Sequence, residues 1–232
     1  MDIERVRREF PARRIDYFPA IDSTMRAAVG LEPGSVVLAG EQTGGQGRHG
    51  RRWHSEAGSG IYCSIVLKPV PALTLALGLA TADAIAHATG MVCDLRWPND
   101  VMLAGKKVAG ILVRNAIAGI GINVNQTSFP AELAFEATSL RLHTGAPVSL
   151  TGIVLALLPA IDRFAELDKD AILRLFASAS SYAAGRRVTV AQPDGIIEGT
   201  TAGLDPAGFL IVRKDDGTDT LIVAGGVRAA GS

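Results

Sequence analysis

Apolar positions recur along this chain in two rhythms, one helical and one of strands, and the change between them organises it. A long helical stretch runs from Leu73 to Thr89, apolar almost throughout and stopped by Gly90. A second covers Leu150 to Phe176, with a break or kink expected near Pro159, because proline removes a helix hydrogen bond. Glu4 to Phe10 predicts a short charged helix, and Asp22 or Ser23 offers an N-cap to another that Gly30 ends. Between these lie strands. "IDYFPAI" reads as a strand entering a turn, and "GSVVLAGE" as the continuously apolar kind that is buried on both faces. In "GIYCSIVLKP" the residues Ile61, Cys63, Ile65 and Leu67 alternate with Tyr62, Ser64, Val66 and Lys68, which predicts a half-covered strand. "CDLRWPNDVMLAGKKVAGILVRN" reads as a strand, a turn at Pro98 to Asp100, and a hairpin around Ala104-Gly105. "AIAGIGINVN" is one more strand, with glycines at alternate positions where a ligand or another backbone can come close.

The rhythm changes near Tyr182. From Arg186 on, short apolar runs are separated by Pro193-Asp194-Gly195, Asp205-Pro206-Ala207-Gly208 and Asp215-Asp216-Gly217 turns, with no helical period. That spacing predicts a small all-β barrel of roughly 45 residues. The expected division is therefore a domain at 1–184 and a second at 185–232.

Composition narrows the function classes. With 23 basic and 23 acidic side chains the formal net charge is zero, so general attraction to nucleic acid or a membrane surface is not expected, and any phosphate recognition has to be local. Cys63 and Cys93 sit in apolar sequence without metal-binding spacing, which argues for free buried thiols in a reducing compartment. The N-terminal residues are charged from the second position, and the apolar run from Ile153 is too short to span a bilayer. A cytoplasmic location is the resulting expectation.

Four segments are candidates for chemistry. "GEQTGGQGRHGRRWHS", Gly40 to Ser55, packs five glycines among three arginines, two histidines and a tryptophan. Backbone N–H groups of such a loop form a concave anion site, to which Arg48, Arg51 and Arg52 add charge-assisted donors. It matches neither the Walker A nor the dinucleotide pattern, and a solvated surface hairpin would account for the loop as well. In "RWPND" and "GKKVAG", Asn99 and Asp100 stand at a turn and Lys107 opens a returning strand, where a lysine usually snorkels to solvent but can also serve a phosphoryl-transfer site. Ser23 and Thr24 of "IDSTM" have helix capping as their common role, and Asn123 and Asn125 of "GIGINVN" have turn hydrogen bonds as theirs. No Ser-His-Asp order, HExxH or cysteine metal spacing supports a hydrolase or a zinc site.

Taken in order, "IDST", "EQTGGQGRHGRRW", "RWPNDVMLAGKKVAGIL" and "GIGINVN", followed by a small β barrel, resemble the biotin protein ligases over nearly the whole chain. The resemblance implies an α/β (α+β) fold: a mixed-sheet catalytic domain related to class II aminoacyl-tRNA synthetases and lipoate ligases, then an SH3-like barrel. It implies that ATP and biotin give biotinyl-5'-AMP, with Mg2+ on the phosphates, and that biotin then passes to a lysine of a biotin carboxyl carrier protein. Arg48 and Lys107 match the catalytic arginine and lysine, and Asp100 stands where it would orient Lys107 or help deprotonate the acceptor lysine. Ser23, Thr24 and Gln42 would hold the ureido ring, Gly45 and Gln46 would close over it, and Trp53 and Gly110 would pack on the ligand. Arg51, Asn99 and Asn123 match nucleotide-contacting positions, as Arg48 and Lys107 also do, and these last two would contact biotin as well. A dedicated protein metal site is not implied, and the family includes monomers and homodimers.

The chain also departs from the pattern. Gln46 stands where many members have arginine, Arg114 where glutamate is common, and "GILVRNAIAGIGI" joins two motifs with almost nothing between them, leaving the strand pairing there open. No helix-turn-helix precedes Ile15, so a DNA-binding role is not expected. Two alternatives accompany the main reading: a lipoate or octanoate ligase of the same superfamily, and a non-catalytic biotin-binding sensor.

Overall fold

The computed structural model describes residues 1–192 and 195–230. Helix α1 (Ile3–Glu9), capped by the Asp2 carboxylate on Arg5 N, leads to strand β1 (Ile15–Phe18), the short helix α2 (Thr24–Ala27) and strand β2 (Val36–Ala39). Then come β3 (Gly60–Val66), α3 (Leu73–Thr89), β4 (Asp94–Arg96), β5 (Asp100–Leu103), β6 (Lys106–Arg114) and β7 (Ile117–Asn123). Three helices follow, α4 (Leu140–Thr144), α5 (Leu150–Ala165) and α6 (Lys169–Ala179). The chain ends in β8 (Ala184–Gln192), β9 (Gly195–Leu204), β10 (Leu210–Arg213), β11 (Asp219–Ile222) and β12 (Gly226–Ala229).

Strands β1 to β7 form one mixed sheet in the order β1-β2-β3-β7-β6-β5-β4, with β1 and β2 parallel and the other neighbours antiparallel. Helices α3 and α5 cover one face, where Leu38, Ile61, Cys63 and Ile65 join Leu77, Ile85, Leu157 and Ile161 in the core. The other face is left to α2 and to loops. Strands β8 to β12 form an antiparallel sheet in the order β11-β10-β9-β8-β12, and their Val188, Val190, Leu210 and Val212 belong to the same apolar core. A buried hydrogen bond from Trp97 Nε1 to Gly208 O, 2.9 Å, ties the two sheets together.

Three expectations need correction or completion. Strand β3 is buried at all seven positions, not half-covered: α2 packs over its second face, where Thr24 Oγ1 meets Ser64 Oγ at 2.8 Å and Ala28 covers Val37 and Val66. Helix α5 passes through Pro159 without a break, because Ile153, Val154, Leu157, Leu158 and Ile161 anchor it to the core on both sides of the missing N–H. The interruption falls later, where Asp168 caps α6 by accepting from Ala171 N at 2.7 Å. The short segment between the last two motifs is a complete hairpin: Arg114 pairs with Ile117 across a two-residue turn, Asn115-Ala116, with φ of 47° and 65°. That left-handed pair matches the strand twist. Of the expected C-terminal turns, Asp205 closes the second by accepting from Ala207 N and Asp216 the third by accepting from Thr218 N. Pro193 and Asp194 of the first lie outside the described residues.

Candidate active site

A cavity of about 220 Å³ opens on the sheet face opposite α3 and α5. Its floor is a patch of glycines on adjacent strands: Gly110 of β6 pairs with Gly121 of β7, and Gly119 lies two residues away. Side chains fill the space these glycines leave. A Cβ at Gly121 would lie 2.6 Å from Trp53 Nε1, one at Gly110 would lie 3.0 Å from the same ring, and one at Gly119 would lie 2.9 Å from Met25 Sδ. The alternate-glycine strand is therefore a ligand or side-chain seat, as its pattern implied. Trp53 Nε1 is buried and has no hydrogen-bond partner among the described residues.

The glycine-rich loop folds over this floor as a narrow ribbon. Trp53 N donates to Gly45 O at 2.9 Å and Gly47 N to Arg51 O at 2.7 Å, around a single turn of 3-10 helix at Arg48–Gly50. The turn needs left-handed backbone at His49 (φ 56°) and Gly50 (φ 74°). Arg114 Nη1 donates to Gln46 Oε1 at 3.3 Å, so two positions at which the sequence departs from the family pattern touch each other.

One end of the cavity is neutral and hydrogen-bonded. Ser23 and Thr24, both buried, sit at the start of α2, where Ser23 caps the helix as expected. Thr24 N and Oγ1 donate to Gln42 Oε1 at 2.9 and 3.0 Å, and Gln42 Nε2 donates to Ser55 Oγ at 3.2 Å. Ser64 completes this network through Thr24. Cys63 lies on the other side of the sheet in the α3 and α5 core, where burial pushes its thiol up to about 12, so it is a neutral packing group.

The other end is charged. Asp100 lies between two cations: Lys107 Nζ is 2.5 Å from Oδ1, and Arg96 Nη2 is 2.8 Å from Oδ2. Burial alone would raise its pKa, yet Lys107 and Arg96 outweigh burial and hold the carboxyl below the usual range. Arg48 Nη1 donates to Asn99 Oδ1 at 3.1 Å and to Gly225 O at 3.4 Å, so the loop arginine bridges the first sheet and the segment before β12. Burial lowers its pKa, opposed by Asp100 and helped by Arg51, but an arginine stays cationic in the neutral range.

A β-bulge decides where Lys107 points. Strict alternation would put Lys107 and Gly110 on opposite faces of β6. Asp100 pairs with Gly110 and Val101 with Ala109, but Met102 pairs with Lys107, leaving Val108 as an extra residue. The extra residue turns Lys107 to the cavity side, with its Nζ 5.5 Å from the Trp53 ring centre. The shifted backbone is held by Lys107 N donating to Glu136 O at 2.7 Å and Thr138 N donating to Lys107 O at 2.9 Å.

Every site residue implied by the family resemblance except Gly45 lines this one cavity. Gly45 lies just behind, where an added Cβ would be 3.0 Å from Gln42 Nε2 and from Ser55 Oγ. Asn123 lines the wall, but its amide nitrogen is engaged by Thr138 O at 3.0 Å. Asn125 points elsewhere, bonding Val148 through both amide atoms. Sequence reading missed Arg96, Ser55, Ser64, Met25 and the Phe129–Leu133 side of the cavity. Only Arg96, four residues before Asp100 across a turn, carried a local signal.

Comparison with known proteins places the chain among characterised relatives. The Biotin/lipoate A/B protein ligase family matches residues 17–126, and the Biotin protein ligase C terminal domain matches residues 184–227. A biotin--[acetyl-CoA-carboxylase] ligase of Mycobacterium tuberculosis is 37% identical over 224 residues, spanning 88% of this chain and 82% of that protein. The chain belongs to the biotin protein ligase family. The enzyme of the same name from Paracoccus denitrificans is 34% identical over 235 residues, covering 88% of this chain and 95% of its own. Among solved structures, the Aquifex aeolicus biotin protein ligase in complex with biotin and ATP superposes with a TM-score of 0.84 at 30% identity, over 94% of this chain and 99% of that one. Those matches carry the expected fold class with them, a mixed-sheet α/β unit followed by a small antiparallel one.

Proposed function

We propose that this chain activates biotin with ATP to biotinyl-5'-AMP and transfers the biotinyl group to a lysine of a biotin carboxyl carrier domain of acetyl-CoA carboxylase or a related carboxylase. The observation that carries the reading is the convergence of Arg48 and Lys107, from distant segments, on one end of a cavity whose other end is neutral and hydrogen-bonded. A biotin carboxylate is a poor acyl donor, and its attack on the α-phosphorus of ATP brings two anions together. Cations placed at the meeting point offset that repulsion and stabilise the charge that develops as pyrophosphate leaves. In the second step the amine of the carrier lysine attacks the acyl carbonyl and AMP departs.

Each residue then has a part. Ser23, Thr24 and Gln42 with Ser64 offer donors and acceptors to the ureido ring, Gly45 and Gln46 belong to the ribbon over it, and Trp53 packs the ligand against Gly110 and Gly121. Arg51, Asn99 and Asn123 stand with Arg48 on the nucleotide side. Asp100 orients Lys107; its two cations keep it ionised and make it a weak base for an acceptor ammonium. Magnesium would enter with the nucleotide as its phosphate complex and offset the phosphate charge. No helix among them is long and apolar enough to cross a membrane, and the free buried Cys63 and Cys93 suit a cytoplasmic enzyme.

The test is biotin-dependent pyrophosphate release from ATP and magnesium, with lipoate in parallel and Lys107→Ala as the control. Release with biotin alone, abolished by the substitution, supports the reading. Release with lipoate instead transfers the site to the lipoate class. Biotin binding without release under any condition makes the chain a sensor.

A further inference from the structure

One partly buried cation acts on the site from outside the cavity. Arg96, the last residue of β4, lies outside the cavity lining and is the cross-strand partner of Asp100. Its Nε and Nη2 both donate to Asp100 Oδ2, at 3.2 and 2.8 Å, and each of the two side chains is only 15% exposed. Asp100 Oδ1 faces Lys107 Nζ at 2.5 Å.

We propose that Arg96 is a positioning residue for adenylation: by gripping Oδ2 with two nitrogens it fixes the Asp100 carboxylate with Oδ1 turned to Lys107, and so sets where the Lys107 ammonium stands. The inference rests on the proposed function, because it is that reaction which needs Lys107 in place. Two physical effects converge in it. The terminal torsion of an aspartate is broad, so a carboxylate held by a single lysine can swing about it and carry the lysine along. A planar guanidinium with two donors on one oxygen removes that freedom, which a point-charge ammonium does not do.

The second effect is charge. Lys107 and Asp100 alone cancel, whereas Arg96, Asp100 and Lys107 together carry one positive charge into a site that has to accept a carboxylate and phosphates. The charged groups facing Asp100 are Arg96 from β4, Lys107 from β6 and Arg48 from the glycine ribbon. The nearby Glu136 carboxylate is turned away to Arg228 at 2.7 Å. Burial works to raise the Asp100 pKa and the two cations work to lower it. Without Arg96 the balance moves up, so a reaction that needs ionised Asp100 loses its acid limb at a higher pH.

The experiment compares the full-length wild type, Arg96→Met and Arg96→Lys in two ways: biotin-dependent pyrophosphate release across pH, and titration of the Asp100 side-chain carboxyl by carbon NMR, which needs no turnover. Arg96→Met is expected to lower kcat roughly 10-fold or more while KM for biotin stays within about twofold, and to move both the acid limb and the Asp100 titration upward. Arg96→Lys should recover part of kcat, since it returns the charge without the two-nitrogen grip. Should Arg96→Met not fold, the Arg96→Lys titration still decides, because a single donor leaves Asp100 titrating above the wild type. An unchanged kcat, or a lower one with both titrations unmoved, overturns the proposal and leaves Arg96 a structural ion pair. A wild type inactive with biotin overturns the ligase reading, and the carbon titration then judges the Arg96–Asp100–Lys107 coupling by itself.

Discussion

The two ends of the cavity hold their polar groups by opposite means. At the Thr24 end, uncharged hydroxyls and an amide satisfy one another over 2.8 to 3.2 Å, and each can turn to serve a ligand. At the Lys107 end, a buried carboxylate is locked between two cations, with a third on the ribbon close by. Neutral networks discriminate between ligands of similar shape, because a ligand lacking the right groups leaves buried partners unpaired. Charged clusters contribute most when charge develops during reaction. Substitutions at the two ends should therefore differ in kind as well as size.

The largest expected effect is at the charged end. Lys107→Ala removes the ammonium from the point where the acid and the phosphate meet and leaves Asp100 with Arg96 alone. Loss of one preorganised charge donor lowers kcat by roughly 100- to 1000-fold. Steady-state pyrophosphate release should show that loss in kcat, with KM for biotin changed little; an equal effect on both constants would erase the contrast between the ends.

The floor ranks next. At Gly121 an alanine Cβ would sit 2.6 Å from Trp53 Nε1, so the indole has to leave the seat that the β7 glycines provide. Gly121→Ala is expected to weaken biotin binding by more than about 10-fold, since burying even one misplaced group in a packed site costs on the order of 1–3 kcal/mol. Isothermal titration measures it, and Gly90→Ala, remote from the cavity at the end of α3, serves as the comparison.

The neutral end comes third. Thr24→Val keeps the shape but removes the hydroxyl that links Gln42 to Ser64. A lost buried hydrogen bond is worth about 1 kcal/mol or somewhat more. The expectation is a KM for biotin raised roughly 5- to 10-fold with kcat nearly intact, and a relative gain for acids without a ureido ring. A fall in kcat instead would mean that the two ends are not separable.

How much of this was legible beforehand follows from the range of the interactions involved. The strands, the hairpin at Ala104-Gly105, the stop at Gly90 and the glycine ribbon with Arg48 were readable because turn chemistry and periodicity act over a few residues. The motifs converge on one cavity. What stayed hidden is set by pairing between distant segments. The bulge at Val108, which turns Lys107 to the cavity, depends on β5 and on the 136–138 backbone. Ser64 looked like the open face of a half-covered strand until α2 packed on it. Pro159 announced a break or a kink, and the helix runs through it unbroken with core contacts on both sides; the Arg48 contact with Gly225 joins residues from opposite halves of the chain.

The smallest effect separates the site from the scaffold that carries it. The two hairpins beside the cavity strands both use left-handed turn pairs, Ala104-Gly105 with φ of 48° and 78°, and Asn115-Ala116 with φ of 47° and 65°. Glycine and asparagine tolerate that region, whereas alanine there costs about 1 kcal/mol from the approach of Cβ to the backbone. Ala116→Gly relieves the clash but gives the unfolded chain more freedom, so the net gain is below about 1 kcal/mol, a rise of a few degrees at most in melting temperature. Neither kcat nor KM for biotin should move, because the turn lies at the far end of β6 from Lys107. If activity rose with stability, part of the losses at Lys107, Gly121 and Thr24 would have to be assigned to a loosened sheet. A stability gain with constant kinetics leaves those losses to the chemistry of the two ends.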